Sequence, residues 1–351
     1  AKIILGRADA ILKKHKGYDT FAYSSVLNNL AEIERRSGET ARAEKKFKKA
    51  IKIRTALFGA EHPDGVSLKG NLAALFLDQG KYQESENLHL ESLVINRDIL
   101  GLQHPATALA HHNLAHFYMQ TRRIESAHKH ALIALNIRSN VQGTKHPLTL
   151  TTISMLGDIS SSLGRYEEAE KLFVVGGLDC LEKASQFTWS CRSILKLGQV
   201  FMHQGKFRKA QIAFAHAFSI MEKTTDKTEV RWLEPLIKYS LGWSFLKLGE
   251  LHNAEKLIKE AIINWRKFPE LQSAEFVRAK TLLAIIYSKT GRLNEARILT
   301  REIYPYVTSV IEKDAFSEGL GNNVEEDWRT TLQLFVDVSL KLEDFNKLSS
   351  R

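Results

Sequence analysis

The stretch GAEHPDGVSLKGNLAALFLDQGKYQESE, residues 59–86, decides the fold. Its His62-Pro63 returns 42 residues later as His104-Pro105, and after another 42 as His146-Pro147. Its Asn71-Leu72-Ala73 returns as Asn113-Leu114-Ala115. Such a beat marks a stack of like units, each one supersecondary element. Glycine keeps the time: Gly38, Gly80, Gly164, Gly205, Gly249 and Gly291 each sit in a short polar gap, and Arg122 takes the place in the third unit. Successive spacings are 42, 42, 42, 41, 44 and 42 residues.

Upstream of each marker the apolar residues recur at helical spacing, as in Leu72, Ala73, Leu75 and Phe76. A small residue precedes every marker by about two turns (Ala31, Ala73, Ala115, Gly157, Gly198, Gly242, Ala284) and lets a neighbouring helix approach closely. Downstream, a second helix repeats small-large-small at i, i+4 and i+7, as in Ala43, Phe47, Ala50 and in Ala210, Phe214, Ala217. The marker glycine ends the first helix, because glycine takes left-handed dihedrals without strain. The His-Pro opens the next unit, where proline sacrifices no helical hydrogen bond. Each unit is therefore an antiparallel helix pair that buries its faces only by stacking.

This pattern resembles the tetratricopeptide repeat, from residue 20 to about 348. The Leu100-Gly101…His104-Pro105 and Asn113-Leu114-Ala115 signatures resemble the kinesin-light-chain variety, although no heptad coiled coil for kinesin docking is present. The expected fold is all-α: a right-handed superhelical solenoid of about seven helix pairs with a C-terminal capping helix. The expected organisation is a basic N-terminal helix or cap over 1–19, regular units 1–4 over 20–183, drifted units 5–7 over 184–310, an acidic insert loop over 311–327 and the capping helix over 328–351. Drift begins at Gly176-Gly177, two glycines inside a second helix.

The bulk numbers narrow the function. Net charge is +10 over 351 residues, and residues 1–58 hold fourteen Lys/Arg against six Asp/Glu, so the basicity belongs to one end. No run of eighteen apolar residues exists to span a membrane, and the first residues are too charged for a secretory signal. Two cysteines, Cys180 and Cys191, make no disulfide framework and point to a reducing interior, cytoplasmic or organellar, with the protein soluble or peripherally associated. No phosphate-cradling glycine loop, nucleophile elbow or paired-carboxylate motif is present, so the expectation is a non-enzyme without a cofactor.

In the repeat architecture the first helices line a concave groove. The residue nine before the marker, which should face that groove, is Asn29, Asn71 and Asn113 in the first three units. Asparagine offers a donor and an acceptor, as another strand would. First helices roughly 10 Å apart and a strand rise of about 3.3 Å per residue place one asparagine at every third residue of an extended guest. The kinesin-light-chain resemblance implies that these three hold such a peptide; the alternative is that they are consensus without a ligand. After Asn113 the ladder changes to Met155, Lys196, Ser240 and Leu282. Neighbouring groove candidates are Arg192, Gln199, Tyr239, Trp243 and Arg278, an aromatic and basic wall suited to apolar and acidic side chains; the alternative is packing between drifted units.

Another tetratricopeptide subclass clamps acidic chaperone tails. Only Asn71 has a counterpart in its residue set, with Asn28 and Glu32 at positions that should be lysine and asparagine, so that reading is rejected. His112 and His116, in HHNLAH, share a helix face as two metal ligands would. With no glutamate after the first and no cysteine near, they are expected to be groove histidines, with no metal. Arg42, Lys45, Lys46, Lys48, Lys49 and Lys52 form the outer face of one amphipathic helix, either simply solvated or a landing patch for an acidic partner or surface.

The resulting expectation is a protein-interaction scaffold or adaptor that binds an extended peptide. The alternatives are a permanent subunit acting in complex assembly and a basic RNA-binding solenoid, the latter disfavoured because no aromatics interleave the basic face.

Overall fold

The computed structural model describes residues 20–178, 187–223, 233–267, 274–316 and Val336. The cap expected over 1–19, Cys180 and, apart from Val336, the capping helix over 328–351 lie outside them. The described residues form fourteen helices and no strand. They follow one another in pairs: α1 (Phe21–Arg36) and α2 (Thr40–Phe58); α3 (Pro63–Asp78) and α4 (Tyr82–Leu100); α5 (Pro105–Gln120) and α6 (Ile124–Gln142); α7 (Pro147–Ser162) and α8 (Tyr166–Leu178). Then come α9 (Phe187–His203) and α10 (Phe207–Lys223); α11 (Leu233–Lys247) and α12 (Leu251–Arg266); α13 (Ala274–Lys289) and α14 (Leu293–Phe316). The chain divides into two compact units, residues 1–159 and 160–351, with the division inside α7.

Every marker ends a first helix. The six glycines take φ between 70° and 81°. The amide after each marker reaches back to a carbonyl of the last helical turn, from Glu39 to Glu34 through Arg292 to Tyr287, at 2.8 to 2.9 Å. This is the Schellman closure, which satisfies carbonyls that the helix end would otherwise orphan. Arg122 adopts the same conformation, at φ 65°, with a side chain. The left-handed region costs an L-residue about 1–2 kcal/mol, and one guanidinium nitrogen of Arg122 is buried with no hydrogen-bond partner among the described residues. Arg122→Gly is therefore expected to stabilise residues 20–159 by about 1 kcal/mol, raising the melting midpoint by about 2–4 °C. A midpoint that stays put or falls rejects this account.

The His-Pro pairs have a second purpose that the proline alone did not reveal. His62, His104 and His146 each use Nδ1 to accept the amide of the residue two further on, at 3.3, 3.1 and 3.2 Å. Histidine is thus the N-cap and proline the first helical residue. Gly59, Gly101 and Gly143 close the preceding second helices at φ 96°, 92° and 89°.

The small-large-small triplets are the core. Ala43, Phe47 and Ala50 are fully buried, as are Ala210, Phe214 and Ala217, and Ala254, Ile258 and Ala261. Each unit also carries a recurrent ion pair between consecutive hairpins, on the residue just after the marker. Lys81 meets Glu44 at 3.5 Å and Arg123 meets Glu86 at 2.7 Å in the first unit. In the second, Arg292 NH1 donates to Glu255 Oε1 at 2.9 Å, and this bond leads the causes that hold the Glu255 carboxyl down at about 2. Such pairs add register more than stability.

Two expectations change here. The acidic segment 311–327, expected to be a loop, is helical at its start, because α14 runs unbroken through Pro305 to Phe316. Lys46 was placed on the outer basic face; it is instead half-buried, its Nζ 2.7 Å from Oε2 of the buried Glu34. A buried carboxylate requires such a partner.

Candidate functional site

In the first unit, α1, α3 and α5 carry Asn29, Asn71 and Asn113 on neighbouring helices, Asn29 exposed and the other two half-buried. Asn71 Nδ2 donates to Asn28 Oδ1 at 2.9 Å, and Asn28 Nδ2 donates to Asn29 Oδ1 at 3.4 Å. Asn113 lies over Gly70, its Nδ2 3.5 Å from where a Cβ would stand. The ladder thus contains Asn28, at a position where the chaperone-tail clamp would need lysine.

About two turns further along these helices the face becomes ionic. Arg35 donates two bonds to Glu32, both at 2.9 Å, and pairs with Asp78 on α3. The Arg35 bonds are the main reason the Glu32 carboxyl sits below its ordinary range. His116 on α5 is exposed and within electrostatic reach of Arg35 and Asp78. The 43-residue step from Arg35 to Asp78 was visible in the sequence as an opposite-charge pair on successive first helices, but nothing marked it out from surface charge.

His112 and His116 part company. His112 Nδ1 lies 3.4 Å from Arg138 NH1 and 3.3 Å from Thr152 Oγ1, turned toward α6 and α7 instead of standing open. Burial, and secondarily Arg138, pushes His112 down to about 4. His111 faces His130, with the two Nδ1 atoms 2.8 Å apart. Among the described residues no group of three His, Cys, Asp or Glu could hold a metal ion.

In the second unit Arg192, Lys196 and Gln199 follow one another on α9, Arg192 exposed with its guanidinium 5.6 Å from the Trp189 ring centre. Tyr239 is a correction: it is 7% exposed and packs in the core against Trp265, the ring centres 6.1 Å apart. Trp243 is half-buried beside it, 6.2 Å away and stacked. Arg278 is half-buried on α13. The aromatic part of the expected wall is thus mostly packing, because an apolar ring gains more from burial than from a wet groove.

Half of the outer basic face is paired with carboxylates. Arg42 pairs with Glu39, Lys46 with Glu34 and Lys48 with Glu44, while Lys49 lies over the Tyr23 ring. Lys45 and Lys52 remain exposed. Among the described residues no helix is long and apolar enough to cross a membrane. Cys191 is buried, donates to the Ala217 carbonyl and is pushed up to about 12 by burial, which makes it inert.

A family model for the tetratricopeptide repeat matches residues 23–98, 66–131 and 106–174. No curated protein matches the chain significantly in sequence. Among solved structures, the kinesin-light-chain nearly identical TPR-like repeats of Podosopora anserina are similar at TM-score 0.51 and 21% identity, over 57% of this chain and 95% of that one. BtubC (BKLC) from P. vanneervenii gives 0.56 and 18%, over 62% and 89%. A tetratricopeptide repeat protein from Parabacteroides merdae gives 0.55 and 16%, over 89% and 98%. At these identities the likeness is one of fold. Residues 23–174 are therefore tetratricopeptide repeats, of the 42-residue beat also read from the sequence, and the hairpins that follow continue the same all-α fold.

Proposed function

We propose that the chain is a non-catalytic interaction scaffold that holds an extended segment of a partner protein along the first helices of its first unit. Asn28, Asn29, Asn71 and Asn113 would bond the guest's backbone. The observation that carries this reading is the bonding of the asparagines to one another. Asn28, Asn29 and Asn71 exchange amide bonds only within their own row, and Asn113 has no hydrogen-bond partner among the described residues. Exchanging a side-chain bond for a backbone bond costs little, whereas a polar row on a buried face would be tied down by its own helices. On the second unit Arg192, Lys196, Gln199, Trp243 and Arg278 are the positions that would select acidic or apolar side chains.

The test is capture on an array of extended peptides by the full chain. Asn71→Ala with Asn113→Ala is expected to lower retention at least tenfold while leaving the melting midpoint within about 2 °C, in line with the small effect of partly exposed substitutions. Unchanged capture by the double variant removes the idea. A second reading, a permanently assembled subunit, is favoured by apolar residues at matching positions of successive second helices. Leu90 and Val94 on α4 and Leu132 on α6 are 39%, 45% and 49% exposed. If that reading is the right one, Leu90→Lys with Leu132→Lys abolishes co-purification of partner subunits and the asparagine variants do not. Three of the six cations on the basic face already have carboxylate partners, which leaves nucleic acid a reduced footing there.

A further inference from the structure

The second unit contains an apolar cavity of about 240 Å³, lined by residues of α8, α9 and α10. Its floor is Phe173, Ile194, Phe201 and Ala213, all buried. Its origin is legible in the repeat. Counting from the marker, Ala213 stands where four of the six other units carry Leu88, Leu172, Leu257 and Leu299, the first and third carrying Lys46 and His130. Gly177 stands where large apolar residues such as Ile51 and Phe218 are found, but there Ile194 fills the place: a Cβ would lie 2.9 Å from its Cγ1. One large apolar side chain that the neighbouring hairpins supply, Leu172 and Leu257, is therefore missing at Ala213. Interiors pack to crystal density and relax only partly around a lost group, so the truncation at Ala213 leaves space.

The mouth is chemically biased. Lys209, Ile212 and His216 lie on one face of α10, at i, i+3 and i+7, and all three are exposed. Lys209 and His216 are the basic groups of the lining, and among the described residues neither has a carboxylate partner; the Lys209 ammonium lies 5.7 Å from the centre of the Phe201 ring. No acidic residue lines the cavity. A methylene-sized group takes roughly the 30 Å³ of a liquid water, so the space holds about eight such groups. We infer that this cavity is a binding site for a medium-chain apolar monocarboxylate, its tail taking the space beside Ala213 that the neighbouring hairpins fill with leucine and its carboxylate meeting Lys209 and His216 at the mouth. The inference stands apart from the peptide-binding reading, since it uses none of the same residues.

Octanoate is the probe, titrated into the full chain and followed by calorimetry and by the shift of the melting midpoint. Saturable one-to-one binding is expected, with a dissociation constant on the order of 0.1–1 mM for a ligand of this size. Ala213→Leu restores the residue that the neighbouring repeats carry and fills the cavity. That variant is expected to fold with an unchanged or higher midpoint and to lose octanoate binding. Lys209→Gln is expected to weaken octanoate about tenfold while leaving 1-octanol binding unchanged, which separates the carboxylate from the tail. Octanoate binding that survives Ala213→Leu overturns the site, as does the absence of binding at 10 mM, well above the expected range. Octylamine binding as tightly as octanoate, or a peptide with an apolar C-terminal residue binding where octanoate does not, overturns the ligand class.

Discussion

Acidification is expected to destabilise residues 20–159 sharply between pH 6.5 and about 4, and His89→Phe should remove much of that loss. His89 on α4 is 5% exposed and lies against Phe117, ring centres 5.8 Å apart. In the repeat it occupies the large-residue position held by Phe47 and Phe214. Burial, with a smaller contribution from His116, pushes it from 6.5 down to about 4. The unfolded chain therefore binds this proton first as pH falls. The neutral side chain's contribution is fully present above pH 6.5 and is lost progressively toward pH 4. At about 1.4 kcal/mol per pH unit, His89 alone removes roughly 3 kcal/mol across that window. His111, also held at about 4 chiefly by burial and then by His130, and His112 steepen the same limb. Urea midpoints measured from pH 7 to 4 test this, with the shallower slope expected for His89→Phe. Parallel slopes for the two proteins would show that His89 is not the proton acceptor.

The second large effect is steric. Gly198→Ala is expected to destabilise residues 160–351 by about 2–3 kcal/mol, the cost of forcing an extra group into a full core. A methyl at Gly198 would stand 2.3 Å from Phe214 Cε1 and 2.6 Å from Cδ1. Phe214 is fully buried, so its ring has no free space to swing into. The equivalent residue of the first hairpin is Ala31, which shares a core cluster with Phe47. An alanine–phenylalanine pair is thus compatible with the repeat, but α9 and α10 have closed in around the glycine. Gly198→Ala combined with Phe214→Leu should recover part of the loss. A Gly198→Ala protein that melts with the parent excludes this packing account.

The repeat was legible because its cues are local and recur. A glycine, or Arg122 in its stead, follows each first helix and lets the Schellman closure form, and a His-Pro pair opens three of the first helices. Period and composition alone therefore dictated helical hairpins from residue 20 to the end of α14. The small-large-small triplets named the core for the same reason, since a helix face is set by spacing along the chain. The asparagine row was legible too, as a position in the repeat.

What only the tertiary structure decided is who touches whom across hairpins. Asn28 joined the row because α3 presents Asn71 to it, and Lys46 left the basic face because Glu34 is buried beneath it. Tyr239 became core, and His112 turned to Arg138. The cavity under Lys209 opens beside Ala213, among three helices that only folding brings together. A sequence states each side chain's size and charge, but whether a gap is filled or a charge is paired depends on the neighbour that packing brings to it.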